Sequence, residues 1–353
     1  MSAELRERLA PLFAAARRIA DPGDALGRRA RRELPAQTRL SPAGVELALA
    51  RCLETGASDA ELGRFSSRTP KSPRSHVLLS ANVFTAALRA IATGLVASPR
   101  VFVRASRREP KMAAIIAEAA PSSFSLTDEL RPEPGDQVFA YGSDATFDAL
   151  RRTFPEGTLL RAHGPGFGAA AVESAAVTPQ REAELARALS YDVALFDQRG
   201  CLSPRVVWFE GPLERARSFT RAVAGALAER ERELPPGELA QRERAEREVQ
   251  RAALTYAGHV EPAGAGFVAL LDEPPPHQPE LGARSLLVIA CADAAEAVRP
   301  HAAKVTTHAT AGSAQFSAKF ARILAKSRAS VWGELQSPPF DGPVDLRSLS
   351  GLD

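Results

Sequence analysis

His76-Val-Leu-Leu-Ser80-Ala-Asn82-Val-Phe-Thr-Ala-Ala-Leu-Arg-Ala90-Ile-Ala-Thr-Gly-Leu-Val96-Ala-Ser-Pro-Arg100-Val-Phe-Val-Arg104 reads as strand, helix, strand. The apolar run His76–Ser80 is too short for a helix. Residues 83–96 carry apolar side chains at helical spacing, and Val101–Arg104 is again a short apolar run closed off by a polar stretch. The rhythm continues outward with a helix near 110–120, a strand at Val138–Tyr141, a helix over 144–153 and a strand at Thr158–Arg161. After a helix near 179–190, apolar runs recur at Val193–Phe196, Arg205–Phe209, Gly266–Leu271, Ser285–Ala290 and Lys304–Thr307. Short strands separated by helices predict mostly parallel sheets covered on both faces. The chain is therefore expected to be α/β, with two halves whose seam lies near residues 164–178.

Before the first strand, residues 4–20 place Leu5, Leu9, Leu12, Phe13 and Ala16 on one helical face. A second helix is expected over 42–55, with Val45, Leu49 and Cys52 inward, followed by a polar connection from Arg64 to Arg74. Residues 212–256 are Arg/Glu-dense helix interrupted by Pro235-Pro236-Gly237; the alternating charges of Arg242–Glu248 read as a solvated face. Leu271–Pro279, with four prolines among nine residues, is expected to be a surface loop.

Composition narrows the function classes. Across 353 residues, 45 basic side chains stand against 42 acidic ones, a net charge of +3 that gives no footprint for nucleic acid. The densest basic cluster, Arg28-Arg29-Ala30-Arg31-Arg32, has no interleaved aromatics and reads as a solvated helix face. Cys52, Cys201 and Cys291 are odd in number and far apart, so neither a disulfide framework nor a zinc site is implied. No apolar run approaches membrane-spanning length, and the amphipathic N-terminus lacks a signal-peptide core, so a cytoplasmic location is expected.

The chemistry concentrates at Cys201. In Asp197-Gln-Arg-Gly-Cys201-Leu-Ser-Pro204 the thiol falls in a turn between two apolar runs, where substrate can approach it and backbone N–H donors lie close. Cys52 reads as core filler and Cys291 as a buried strand-end residue. Gly164-Pro-Gly166-Phe-Gly168 fails as a dinucleotide fingerprint, because Pro165 intrudes and the glycine spacing is wrong. His301 and His308 are seven residues apart with no helix to align them, so no metal pair is expected.

Four further segments join the cysteine box: Leu79-Ser-Ala-Asn82-Val83, Val103-Arg104-Ala-Ser106-Arg-Arg-Glu-Pro110, Tyr141-Gly142-Ser143-Asp144, and Leu335-Gln-Ser-Pro-Pro-Phe-Asp341-Gly-Pro. In this order the chain resembles the bioluminescence-type long-chain fatty acyl-CoA reductases, a branch of the aldehyde dehydrogenase superfamily. The resemblance implies an aldehyde dehydrogenase-like fold of two lobes, each with a mostly parallel sheet flanked by helices. The lobes would be a dinucleotide-binding lobe over 1–170 and a cysteine lobe over 171–332, with 333–353 returning to the first. It implies Cys201 as nucleophile and Asn82 as oxyanion donor, although Asn82 also suits a helix N-cap. Gly142 and Ser143 would contact the cofactor pyrophosphate, or form an ordinary glycine turn with a serine cap. Arg104 would sit near the adenosine ribose; with Ser106 and Arg107 it favours NADP(H) over NAD(H), though a surface arginine is the bland alternative. Where hydrolytic relatives carry a water-activating glutamate this chain has His163-Gly164, a departure that favours a reductase acting on thioesters.

The expected activity is NAD(P)H-dependent reduction of a fatty acyl thioester, on CoA or a carrier protein, to an aldehyde through a Cys201 acyl-enzyme. No metal is implied, and a homo-oligomer is open. A cysteine acyltransferase or thioesterase without nicotinamide, or a catalytically degenerate scaffold of the same fold, are the competing readings. The chain is shorter than typical members before its first strand, which bears on the last of these.

Overall fold

The computed structural model describes residues 3–275 and 281–347. The chain divides into two compact units, one running to Pro165 with Pro339–Gly342 added, the other Gly166–Pro338 with Pro343–Arg347.

The first unit opens with helices α1 (Ala3–Ala20), α2 (Ala25–Thr38), α3 (Pro42–Cys52) and α4 (Asp59–Arg68). Helix α4 occupies the start of the segment expected to be a polar connection. Its signal is the Ser58/Glu61 pair, each side chain bonded to the other's backbone N–H. Helix α3 stops at Cys52, three residues short of expectation. Strands and helices then alternate: β1 (Ser75–Leu78), α5 (Ala86–Ala97), β2 (Val101–Arg104), α6 (Lys111–Ala119), β3 (Ser125–Leu126), β4 (Gln137–Tyr141), α7 (Asp144–Thr153) and β5 (Leu159–His163). The five strands are ordered β3-β2-β1-β4-β5, and every pairing is parallel. Helix α5 buries Leu88, Ile91 and Val96 completely, each stabilising the unit by about 1.5–3 kcal/mol. The chain winds outward from β1 in one direction and from β4 in the other, so their carboxyl ends flank the topological switch point, where ligands of open parallel sheets bind.

The second unit contains β6 (Phe167–Glu173), α8 (Pro179–Ala194), β7 (Pro204–Glu210), α9 (Leu213–Glu233), α10 (Gln241–Ala257), β8 (His259–Ala263) and β9 (Gly266–Leu271). It continues with β10 (Leu286–Cys291), α11 (Ala294–Val298), β11 (Val305–Ala311), α12 (Ala314–Ile323) and β12 (Arg328–Ala329). The seven-stranded order is β12-β11-β6-β7-β10-β9-β8, parallel except for the β8–β9 hairpin. Strand β7 alternates between two cores: Val207 and Phe209 pack with α8 and α9, Val206 and Trp208 with α11 and α12. The proline-rich loop expected from Leu271 to Pro279 lies outside the described residues from 276 onward.

One expected strand is not a strand. Val193 and Ala194 end helix α8, and Leu195–Gln198 form a tight 3-10 turn. Phe196, Asp197 and Gln198 all take left-handed backbone angles (φ 54°, 50° and 62°), which costs on the order of 1–2 kcal/mol per residue. The partners that offset this strain come from a distant part of the chain.

Candidate active site

Cys201 follows that strained turn and stands at the amino end of β7. Ser203 N donates to Gly200 O at 3.2 Å, closing a turn over Cys201 and Leu202. On the other side, Gly168 N donates to Ser203 O at 2.8 Å, fastening the turn to β6. The approach is so close that a Cβ at Gly168 would sit 2.3 Å from Leu202 O, so only glycine fits. The Thr306 hydroxyl lies 2.6 Å from Cys201 O and 3.0 Å from Phe167 O, tying the turn to β11 as well.

The box residues before the cysteine are scaffolding. Asp197 is 3% exposed and accepts from Arg284 Nε (2.9 Å) and Nη2 (2.7 Å), and from Gly237 N (2.9 Å). Arg284 also donates to Leu234 O at 2.6 Å, so the buried pair is satisfied on both sides. Gln198 donates to Pro204 O (2.8 Å) and Ser285 O (2.7 Å) and accepts from Ser285 N (2.9 Å). These bonds hold Phe196–Gln198 in a conformation that local sequence disfavours, and so fix where the thiol projects.

The Cys201 side chain is exposed, whereas Asp197, Gln198, Leu202 and Ser203 around it are buried. Although exposed, the thiol is closely surrounded by protein. That poor hydration, reinforced by the Asp345 carboxylate, pushes its pKa up against the opposing pull of Arg347 and Arg205. Asp345 and Arg347 form a nearly buried pair, Arg347 Nη2 donating to Asp345 Oδ2 at 2.6 Å. Sequence reading missed Asp345, Arg347 and Thr306. The resemblance reached only Pro343, and nothing in the spacing joins these residues to Cys201.

In the first unit, Asn82, Arg104, Ser106, Gly142 and Ser143 lie at or just beyond the carboxyl ends of β1, β2 and β4. Asn82 is not a helix cap: α5 begins four residues later at Ala86, and Asn82 lies exposed in a bend. Its Oδ1 accepts from Arg108 Nη2 at 3.0 Å. Arg104 is half-buried at the end of β2, and Ser106 Oγ accepts from Arg108 N at 3.3 Å. Ser143 caps α7, its hydroxyl accepting from Thr146 N. Gly142 N donates to His163 O at 3.3 Å, and a Cβ there would press on Thr146 Cβ at 3.3 Å. His163 stacks on Tyr141 with ring centroids 4.5 Å apart.

The remaining titratable candidates have structural surroundings. His308 is buried against Ser327 Oγ at 3.0 Å, with burial pushing its pKa down to about 4. Burial, with Glu210 and Asp293 nearby, pushes the Cys291 thiol up to about 12, where it is a poor nucleophile. Cys291 lines a cavity of about 590 Å³ with Glu173, Glu210 and Asp272 at the carboxyl edge of the seven-stranded sheet, the edge opposite Cys201. Among the described residues, no group of three His, Cys, Asp or Glu side chains gathers to hold a metal ion. No helix among them is long and apolar enough to cross a membrane.

Two mostly parallel sheets flanked by helices make an aldehyde dehydrogenase-like fold, and the solved structures bear this out. The chain is similar to a lactaldehyde dehydrogenase at 15% identity and TM-score 0.71, covering 93% of this chain and 78% of that one. The lactaldehyde dehydrogenase from Escherichia coli is similar at 14% and 0.70, with the same coverage. An oxidoreductase from Marinobacter aquaeolei matches at 12% and 0.70, covering 99% and 84%. No curated protein sequence matches. The family model described as acyl-CoA reductase (LuxC) matches residues 46–261, more than half of the chain and a span that includes Asn82, Gly142 and Cys201. The chain belongs to this LuxC acyl-CoA reductase family, oxidoreductases of the acyl and aldehyde levels on an aldehyde dehydrogenase-like fold.

Proposed function

We propose that the chain reduces a fatty acyl thioester to an aldehyde through an acyl-enzyme on Cys201. The observation that carries this reading is an exposed thiol on a turn held in place by the buried, hydrogen-bonded side chains of Asp197 and Gln198. Cys201 Sγ bonds to the carbonyl carbon, the carbon–sulfur bond to CoA breaks, and the thiol proton leaves with the CoA sulfur. With its pKa held up, Cys201 is a protonated thiol at neutral pH, so proton loss accompanies attack. The Cys201 backbone N–H and the Asn82 amide serve as oxyanion donors.

When bound, a reduced nicotinamide dinucleotide supplies the hydride that takes the acyl group to the aldehyde level. Breakage of the carbon–sulfur bond then frees Cys201. The first unit suits such a group: the β1/β4 switch point, the side-chain-free Gly142 and the N-terminus of α7 lie together at one sheet edge. Gly142 and Ser143 would hold the pyrophosphate, while Arg104 with Ser106 and exposed Arg107 would favour the 2′-phosphate of NADP(H). His163, stacked on Tyr141 where hydrolytic relatives carry a carboxylate, offers no carboxylate base for water, which favours reduction over hydrolysis.

The test is cofactor oxidation and aldehyde release with acyl-CoAs of graded chain length. NADPH consumption that depends on the thioester and disappears in Cys201→Ser supports the reading. A thioesterase or acyltransferase would instead release CoA without consuming cofactor. Wild-type turnover in Cys201→Ser would end the proposal.

A further inference from the structure

We infer that Arg108 is a positioning residue that orients the Asn82 amide for its role as oxyanion donor, an inference that rests on the function proposed above. Arg108 lies beyond the end of β2, and its Nη2 reaches back across the sheet edge to Asn82 Oδ1 at 3.0 Å, 26 residues earlier in the chain. An arginine side chain has five N–H donors and no acceptor. The atom of Asn82 that faces it must therefore be the carbonyl oxygen. The other end of the amide, Nδ2 with its two N–H groups, is turned away from Arg108, leaving the donating end for a substrate oxygen. A charge-assisted bond to Oδ1 also polarises the amide and strengthens its N–H groups as donors.

The surroundings explain why such a device is needed. Asn82 is exposed, lies in a bend and is held by neither strand nor helix, since β1 ends at Leu78 and α5 starts at Ala86. Without a partner its side chain would sample both amide orientations, and half of them would present an oxygen to the developing oxyanion. Arg108 is itself anchored: its backbone N–H donates to Ser106 Oγ at 3.3 Å, and Glu109 beside it is buried and accepts from Met112 N at 2.8 Å. The segment 104–109 thus links the end of β2, where the ribose is expected, to the residue expected at the acyl carbonyl.

A double-mutant cycle separates this role from a merely structural one. The rate of acyl-enzyme formation with an acyl-CoA is measured for wild type, Arg108→Ala, Arg108→Lys, Asn82→Ala and Asn82→Ala/Arg108→Ala, with KM for NADPH and melting temperature alongside. Arg108→Ala slows acylation about five- to tenfold, the worth of one oriented hydrogen bond, and leaves KM for NADPH and the melting temperature near wild type. Arg108→Lys, which still donates to Oδ1, recovers most of the rate, and the double variant is no slower than Asn82→Ala alone. Additive losses in the double variant, or a change confined to KM for NADPH, would overturn the inference and leave the acyl-enzyme reading standing. Normal acylation in Asn82→Ala would remove both the oxyanion role of Asn82 and the positioning role of Arg108.

Discussion

At the scale of single residues, the proposed chemistry turns on a thiol whose surroundings push its pKa up. Crowding and the Asp345 carboxylate raise the Cys201 pKa, while Arg347 and Arg205 moderate the rise. The thiolate fraction therefore grows with pH throughout the neutral range. Alkylation of Cys201 by iodoacetamide should keep accelerating about tenfold per pH unit from 7 to 9. A plateau below pH 8 would show a thiolate stabilised by a partner that this geometry does not supply. Asp197 carries a second prediction. Replacing it with alanine strands the buried Arg284 guanidinium, a loss of about 3–5 kcal/mol. Chemical denaturation of Asp197→Ala checks this, and a loss below 1 kcal/mol would mean the pair does not hold the strained turn.

At the scale of elements, β6 and the cysteine turn depend on each other. Because Leu202 O occupies the space a side chain would need at Gly168, Gly168→Ala forces the turn outward. A cost of about 1–3 kcal/mol is expected, with acylation by an acyl-CoA falling more than tenfold as Cys201 moves. Unchanged acylation in a stably folded Gly168→Ala protein would contradict that coupling. The same pair of elements marks what sequence could reveal. The alternation through β1, β2, β4 and β5 was legible because each of these strands is a short, largely apolar run and each helix repeats at 3.6, whereas the two exposed residues of β3 carry no such signal. Cys201 was legible as a turn because glycine and proline bracket it. Strand β6 was not, since Phe167-Gly-Ala-Ala-Ala-Val-Glu173 lacks the β-branched residues of a typical strand, and its small side chains serve close packing instead. Val193–Phe196 misled in the opposite sense. It has strand composition, but buried partners at Arg284 and Ser285 stabilise a left-handed turn that no local pattern announces. The position of Asn82 directly after a strand suits a helix cap, but the chain makes a further turn, through Phe84 and Thr85, before α5 begins.

At the scale of the molecule, the two units divide the proposed labour, the first offering a dinucleotide crevice and the second the nucleophile. Within the second unit, Asp192 at the end of α8 ties down the segment that follows β12, accepting from Gly333 N (2.7 Å) and Leu335 N (3.0 Å). Burial outweighs these bonds and raises its pKa to about 7, far above the unfolded value. A raised carboxyl pKa contributes stability at pH below the unfolded value, and this contribution is lost as pH rises through about 7. Wild type should lose melting temperature between about pH 5 and 7 and level off above that, and Asp192→Asn should flatten that dependence. An identical slope in the variant would assign the titration elsewhere. Intact-protein mass spectrometry detects the proposed acyl-enzyme itself. Mixed with a long-chain acyl-CoA without cofactor, the protein should gain the mass of one acyl group at Cys201, which NADPH then discharges as aldehyde. An unmodified protein, or an adduct that persists in Cys201→Ser, would contradict the account.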